Sequence, residues 1–151
     1  MSNAEKPSVL LVDDNQATCT LITAILHRDF SVETAGDGME AIEKLRIKQY
    51  AVILLDLRMP QFDGFSVLDF LKANNPDMLR SVLIVTAVLT RKEIERAKSY
   101  GVCGIIIKPF DVETLLEAVK QCVGDRGTLG PTVFCSPMIL LIADLLRQRL
   151  S

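Results

Sequence analysis

Four short runs in this chain are apolar at every position: Val9-Leu10-Leu11-Val12, Val52-Ile53-Leu54-Leu55, Val82-Leu83-Ile84-Val85 and Ile105-Ile106-Ile107. A strand with one wet face alternates apolar and polar residues. These do not alternate, so each must be buried on both faces, which is the mark of a parallel sheet covered by helices on either side. Ser31 to Ala35 is a fifth, more polar strand that suits a sheet edge.

Helical patterns separate the strands. Leu21, Ile22, Ile25 and Leu26 lie at helical spacing after Asn15, a capping residue. Asp37 precedes Ala41, Ile42 and Leu45, and Asp111 precedes Leu115, Leu116, Val119 and Cys122. Phe65, Leu68 and Leu71 form a further stripe that stops at Asn75-Pro76, and Gly101 closes a charged helix that begins at Arg91. The sequence therefore predicts one doubly wound α/β domain over residues 8–123, with five strands and five helices.

The flanks read differently. Residues 1–7 are expected to be a disordered N-terminus, with Ser2-Asn3-Ala4 looking like an expression remnant. Residues 124–136 read as a linker and 137–150 as a C-terminal apolar helix. Ile139, Ile142, Leu145 and Leu146 share one face of that helix, which should not stay exposed. Two fates are open for it: packing against its own domain or a symmetry mate to make a homodimer, or leading into an output domain.

Composition removes several function classes. Net charge is −2 and no basic run occurs, so nothing marks a nucleic-acid surface. The run Met138 to Ala143 is far below the roughly 20 residues that a membrane span needs. The four cysteines, Cys19, Cys103, Cys122 and Cys135, form no C-x-x-C pair, and His27 is the only histidine. A zinc site is not expected; buried free thiols in a reducing cytoplasm are.

The chemistry should sit where open α/β sheets bind ligands, outside the carboxyl ends of the strands. Five polar residues fall there: Asp13 and Asp14 after the first strand, Asp56 after the third, Thr86 after the fourth and Lys108 after the fifth. Two carboxylates about 4 Å apart repel by roughly 4 kcal/mol at an effective dielectric near 20. Three together call for a cation, and Mg²⁺ suits all-oxygen ligands that must share the metal with phosphate. Lys108 supplies a compact positive charge and Thr86 a hydroxyl for a phosphoryl oxygen. Asp56 is then the natural nucleophile, since a carboxylate can form an acyl phosphate.

These pieces resemble a two-component response regulator receiver domain. The matching motifs are Val12-Asp13-Asp14, Leu55-Asp56-Leu57-Arg58-Met59-Pro60 with Asp63-Gly64, Val85-Thr86-Ala87 and Lys108-Pro109-Phe110, in order over residues 8 to about 123. The resemblance implies a flavodoxin-like sheet of order 2-1-3-4-5. It implies that Asp56 accepts a phosphoryl group from a histidine kinase or phosphotransfer protein. Asp13, Asp14, Asp56 and the backbone carbonyl of Arg58 would serve the Mg²⁺, and Lys108 and Thr86 would bind the phosphoryl oxygens. Ala87 would leave room for that group, and the Lys108-Pro109 bond would be cis. Such a domain is a signalling module that catalyses only its own phosphorylation and dephosphorylation.

One position departs from the pattern. Three residues before the lysine the family usually carries Tyr or Phe, and here it is Ile105. The usual ring movement is not open to this chain, so loop shifts or another surface must carry the signal. Two other classes fit less well. An Asp-nucleophile phosphohydrolase of the haloacid dehalogenase type would resemble D-x-D, whereas Arg58 holds the second position. A pseudo-receiver, a pure interaction module, is favoured only by Ile105.

Overall fold

The computed structural model describes residues 5–60, 63–87, 90–124, 132–134, 145 and 147–149. Strands and helices alternate from the start: β1 (Ser8–Val12), α1 (Gln16–Leu26), β2 (Ser31–Ala35), α2 (Gly38–Ile47), β3 (Val52–Leu55), α3 (Gly64–Asn74), β4 (Val82–Thr86), α4 (Arg91–Ser99), β5 (Gly104–Ile107) and α5 (Val112–Gly124). A short 3-10 helix, Pro76–Ser81, links α3 to β4. The sheet is parallel, and its first five strands lie in the expected order 2-1-3-4-5.

A further strand, β6 (Thr132–Phe134), joins it beyond β5. It pairs parallel to β5, with Ile105 opposite Val133. The stretch expected to be linker therefore contributes to the sheet. Its glycines and proline obscured three residues of strand-forming type. A parallel addition needs a crossover of a dozen residues or more, and α5 supplies it. At the other flank, the Ser31 amide donates to the Pro7 carbonyl at 2.9 Å and Lys6 Nζ to the His27 carbonyl at 3.0 Å, while residues 1–4 lie outside the described residues. Most of the helix expected over 137–150 lies outside the described residues; Leu145 and 147–149 are helical.

Successive residues of each strand point to opposite faces, so every core strand feeds two cores. Leu10, Ile53, Leu55, Ile84 and Ile105 pack with Ala41, Phe65, Leu68, Leu71 and Ala97 from α2, α3 and α4. Val9, Leu11, Leu54, Leu83 and Ile106 pack with Ile22, Leu26, Leu115 and Val119 from α1 and α5. Ser31, Val32, Glu33 and Thr34 are not fully buried, as befits the edge strand β2.

Side-chain caps fix where each helix begins, and hence where each preceding loop ends. Asn15, Asp37 and Asp111 accept the amides of Thr18, Glu40 and Thr114 at 3.0, 2.8 and 2.7 Å. Asp63 caps α3 through Ser66, and Thr90 caps α4 through Glu93. Gly101 has φ 78°, the left-handed conformation that ends α4 at little cost.

The cysteine expectation needs correction. Cys103 and Cys122 form a disulfide, with Cα atoms 5.9 Å apart. They are 19 residues apart in sequence, and only the packing of α5 on β5 brings them together. Cys19 is free and buried as expected, and Cys135 lies outside the described residues. Among the described residues no helix is long and apolar enough to cross a membrane.

The start of α3 is pressed against the end of β3. A methyl group at Gly64 would come within 2.5 Å of the Asp56 carbonyl oxygen and 2.8 Å of Leu57 Cα. Both are backbone atoms, so neither can swing away. Gly64→Ala is expected to cost about 1–3 kcal/mol, the range for overpacking, and nearer its upper end. Urea unfolding measures this, and an unchanged midpoint would contradict the close approach.

Candidate functional site

Extensions of the strand ladder hold the polar residues in place. The Asp13 amide donates to the Ala35 carbonyl, the Asp56 amide to Val12 and the Lys108 amide to Thr86, at 3.1, 3.0 and 2.7 Å. Three strand ends are thereby locked to their neighbours just where the sheet stops. Asp13 turns its Oδ1 back to the Asn15 amide at 2.9 Å, the same short turn that starts α1.

All five strand-end residues meet. Asp13, Asp14 and Asp56 each present a carboxylate oxygen within 4.8 Å of the others. Asp13 and Asp56 are buried and Asp14 is exposed, so the group opens to solvent on one side. Lys108 Nζ reaches Asp13 Oδ2 at 2.8 Å and Asp56 Oδ2 at 3.5 Å. The fully buried Thr86 donates its hydroxyl to Asp56 Oδ1 at 3.0 Å. The Arg58 amide donates to the same oxygen, also at 3.0 Å. Asp56 Oδ1 is thus doubly held, while among the described residues Oδ2 has only the long contact with Lys108. The Lys108-Pro109 bond is cis, as expected.

Burial is the largest influence on Asp56 and pushes its carboxyl above the ordinary carboxylate range; the Arg58 amide and the Lys108 charge pull the other way. Burial alone would lower the Lys108 ammonium, but the hydrogen bond to Asp13 and the charge of Asp56 outweigh it, and the net shift is upward. One ammonium therefore serves two carboxylates, and a third carboxylate stands close by. The donors are all hard oxygen atoms, and such a set fits a small divalent cation.

A scan against family models matches residues 9–120 to the response regulator receiver domain. The chain belongs to that family. It is a receiver domain of a two-component response regulator, and its acidic group is typical of the family's phosphoacceptor pocket. Over 122 residues it is 34% identical to the transcriptional regulatory protein ZraR of Klebsiella oxytoca, a match covering 80% of this chain and 27% of that protein. The ZraR of Escherichia coli (strain K12) is 32% identical over the same length, with the same coverage. The receiver thus spans about a quarter of those relatives. Among solved structures, the chemotaxis protein CheY4 of Vibrio cholerae superposes with a TM-score of 0.72 at 28% identity, covering 78% of this chain and 99% of that one. The Francisella response regulator 1452 receiver domain gives 0.71 at 27% identity, covering 78% and 97%.

Two neighbours of the site were not foreseen from the sequence. Cys19 Sγ donates to the Asp13 carbonyl at 3.4 Å from the first turn of α1. Glu93 receives the Arg58 guanidinium, with Nη2 at 3.2 and 3.0 Å from its two oxygens. The sequence did carry a signal for Glu93 as a capping residue, since Thr90-Arg91-Lys92-Glu93 is a capping-box pattern. It carried none for a partner 35 positions away.

Charge balance at this edge gives a direct prediction. Lys108→Met should destabilise the domain by about 1–3 kcal/mol, less than for a fully buried pair because the lysine is partly exposed. Asp13→Asn in the same chain should recover a large part of that loss in a double-mutant cycle. Strictly additive effects would show that packing, not charge, is what Lys108 provides.

Proposed function

We propose that Asp56 is the phosphoacceptor of this receiver, taking a phosphoryl group from the phosphohistidine of a histidine kinase or phosphotransfer protein with Mg²⁺ bound. The carrying observation is that Asp56 is a buried carboxylate with a second carboxylate, a lysine and a threonine hydroxyl converging on it.

Asp56 Oδ2 is the less engaged oxygen and supplies the electron pair. It forms the new O–P bond as the P–N bond to the donor imidazole breaks, and the imidazole leaves with that electron pair and takes up a proton. Lys108 Nζ faces the same oxygen and compensates charge on the group in transit. The Thr86 hydroxyl, bonded to Oδ1, is placed to turn to a phosphoryl oxygen. Asp13, Asp14, Asp56 and the Arg58 carbonyl would hold the Mg²⁺, which when bound neutralises phosphoryl charge. Before the group arrives, the salt bridge to Asp13 at 2.8 Å already holds the Lys108 ammonium beside Asp56.

The chain then acts as a switch and not as a turnover enzyme, modifying only itself. Its natural setting is the cytoplasm, alongside a kinase and an output domain or protein. The disulfide joins two residues that a reducing compartment would hold as thiols; in either redox state Cys103 and Cys122 stay neighbours through the packing of α5.

Incubation with acetyl phosphate and Mg²⁺ followed by intact-mass measurement tests the assignment. Wild type is expected to show one hydrolysable phosphoryl adduct and Asp56→Asn none. A wild-type chain that stays unmodified would leave a pure interaction module as the better reading.

A further inference from the structure

We propose that the Arg58–Glu93 ion pair is the link through which the state of Asp56 reaches α4, taking the place of the aromatic ring that position 105 lacks. This rests on Asp56 being the phosphoacceptor.

Ile105 is fully buried among the residues under α3 and α4, and has no polar end to offer. Tyr100, at the end of α4 and packed against the same core, is already committed. Its hydroxyl bonds Asp69 of α3, and its ring packs on Phe65 with centroids 6.3 Å apart. Neither side chain connects the carboxylate to α4.

A polar route does. Asp56 Oδ1 accepts the Arg58 amide at 3.0 Å. The Arg58 guanidinium holds both oxygens of Glu93. Glu93 Oε2 accepts the Thr90 amide at 2.8 Å, and the Glu93 amide donates to Thr90 Oγ1 at 3.2 Å. Those last two bonds are the reciprocal capping box that starts α4. Three consecutive links therefore run from the phosphoacceptor to the first turn of the helix.

A cavity of about 440 Å³ lies between the loop after β3 and the start of α4, lined by Leu57, Arg58, Met59, Asp63, Phe65 and Glu93. A loop bordered by a gap can move without breaking a packed core. Acyl phosphate formation through Oδ2 leaves Oδ1 a neutral carbonyl oxygen, a weaker acceptor for the Arg58 amide, and moves the negative charge out onto the phosphoryl oxygens. The loop shifts, and the guanidinium draws the Glu93 cap with it. Arg58 and Glu93 are positioning residues here, and they do not touch the reacting atoms.

Glu93→Gln isolates the link, because glutamine keeps the capping geometry while losing the charge. Backbone amide shifts would be followed by NMR before and after acetyl phosphate and Mg²⁺, with intact mass recorded on the same samples. The variant is expected to take the phosphoryl group as wild type does and to keep its shift changes at residues 56, 86 and 108. Its shift changes over residues 91–99 are expected to fall by roughly twofold or more, on the scale of an exposed ion pair. Salt at about 0.5 M should reduce the wild-type response of α4 and leave that of Glu93→Gln unaltered. Thr90→Val, which removes one cap bond and leaves the ion pair, should retain the salt sensitivity. A phosphorylated Glu93→Gln chain with an undiminished α4 response overturns the link alone. A wild-type chain that takes no adduct overturns the phosphoacceptor reading and the link with it.

Discussion

The contact on which this molecule turns is the salt bridge from Lys108 to Asp13, 2.8 Å long and joining the ends of β5 and β1. Those strands are separated in the sheet by β3 and β4. The bridge therefore spans the strand ends that carry Asp56 and Thr86. It also leaves a deficit. One lysine faces two buried carboxylates, with the exposed Asp14 alongside. Burial holds the Asp56 carboxyl above its ordinary range. A site balanced in this way is short of positive charge, which a metal ion or a change at Asp56 would alter. Function here draws on stability that a neutral residue at Asp56 would not have given up.

The rest of the fold serves to place that edge. Strands apolar at every position can only be satisfied between two helical layers, and this brings four strand ends into one row. Helix caps trim the loops so that polar residues fall at the edge and not within the core. Gly64 permits α3 to start against the Asp56 backbone. Each device is local, but together they fix side chains from four strands within a few ångströms.

Much of this was legible in the sequence, and for identifiable reasons. Apolar runs reveal burial on both faces, so the parallel sheet was readable from Val52 to Leu55 and its counterparts. Strand ends are functional edges in such sheets, so Asp13, Asp14, Asp56, Thr86 and Lys108 could be grouped without coordinates. What stayed hidden depended on distant pairing. The Cys103–Cys122 bond and the Arg58–Glu93 pair join residues 19 and 35 positions apart, and no periodicity records such a contact. β6 was hidden for another reason: three residues give too short a pattern to stand out from a glycine-rich stretch. Ile105 lay between these cases. Its identity showed that the usual ring was missing, but only the geometry around Arg58 offered a substitute.

Thermal unfolding of wild type and Asp56→Asn, each with and without Mg²⁺, tests the central claim of a charge-strained edge most directly. Without metal, the asparagine variant should be the more stable, by about 1 kcal/mol or roughly 2–4 °C for a chain of this size. Mg²⁺ should raise the melting temperature of wild type clearly and that of the variant less. A variant no more stable than wild type, together with a wild type indifferent to Mg²⁺, would contradict the account.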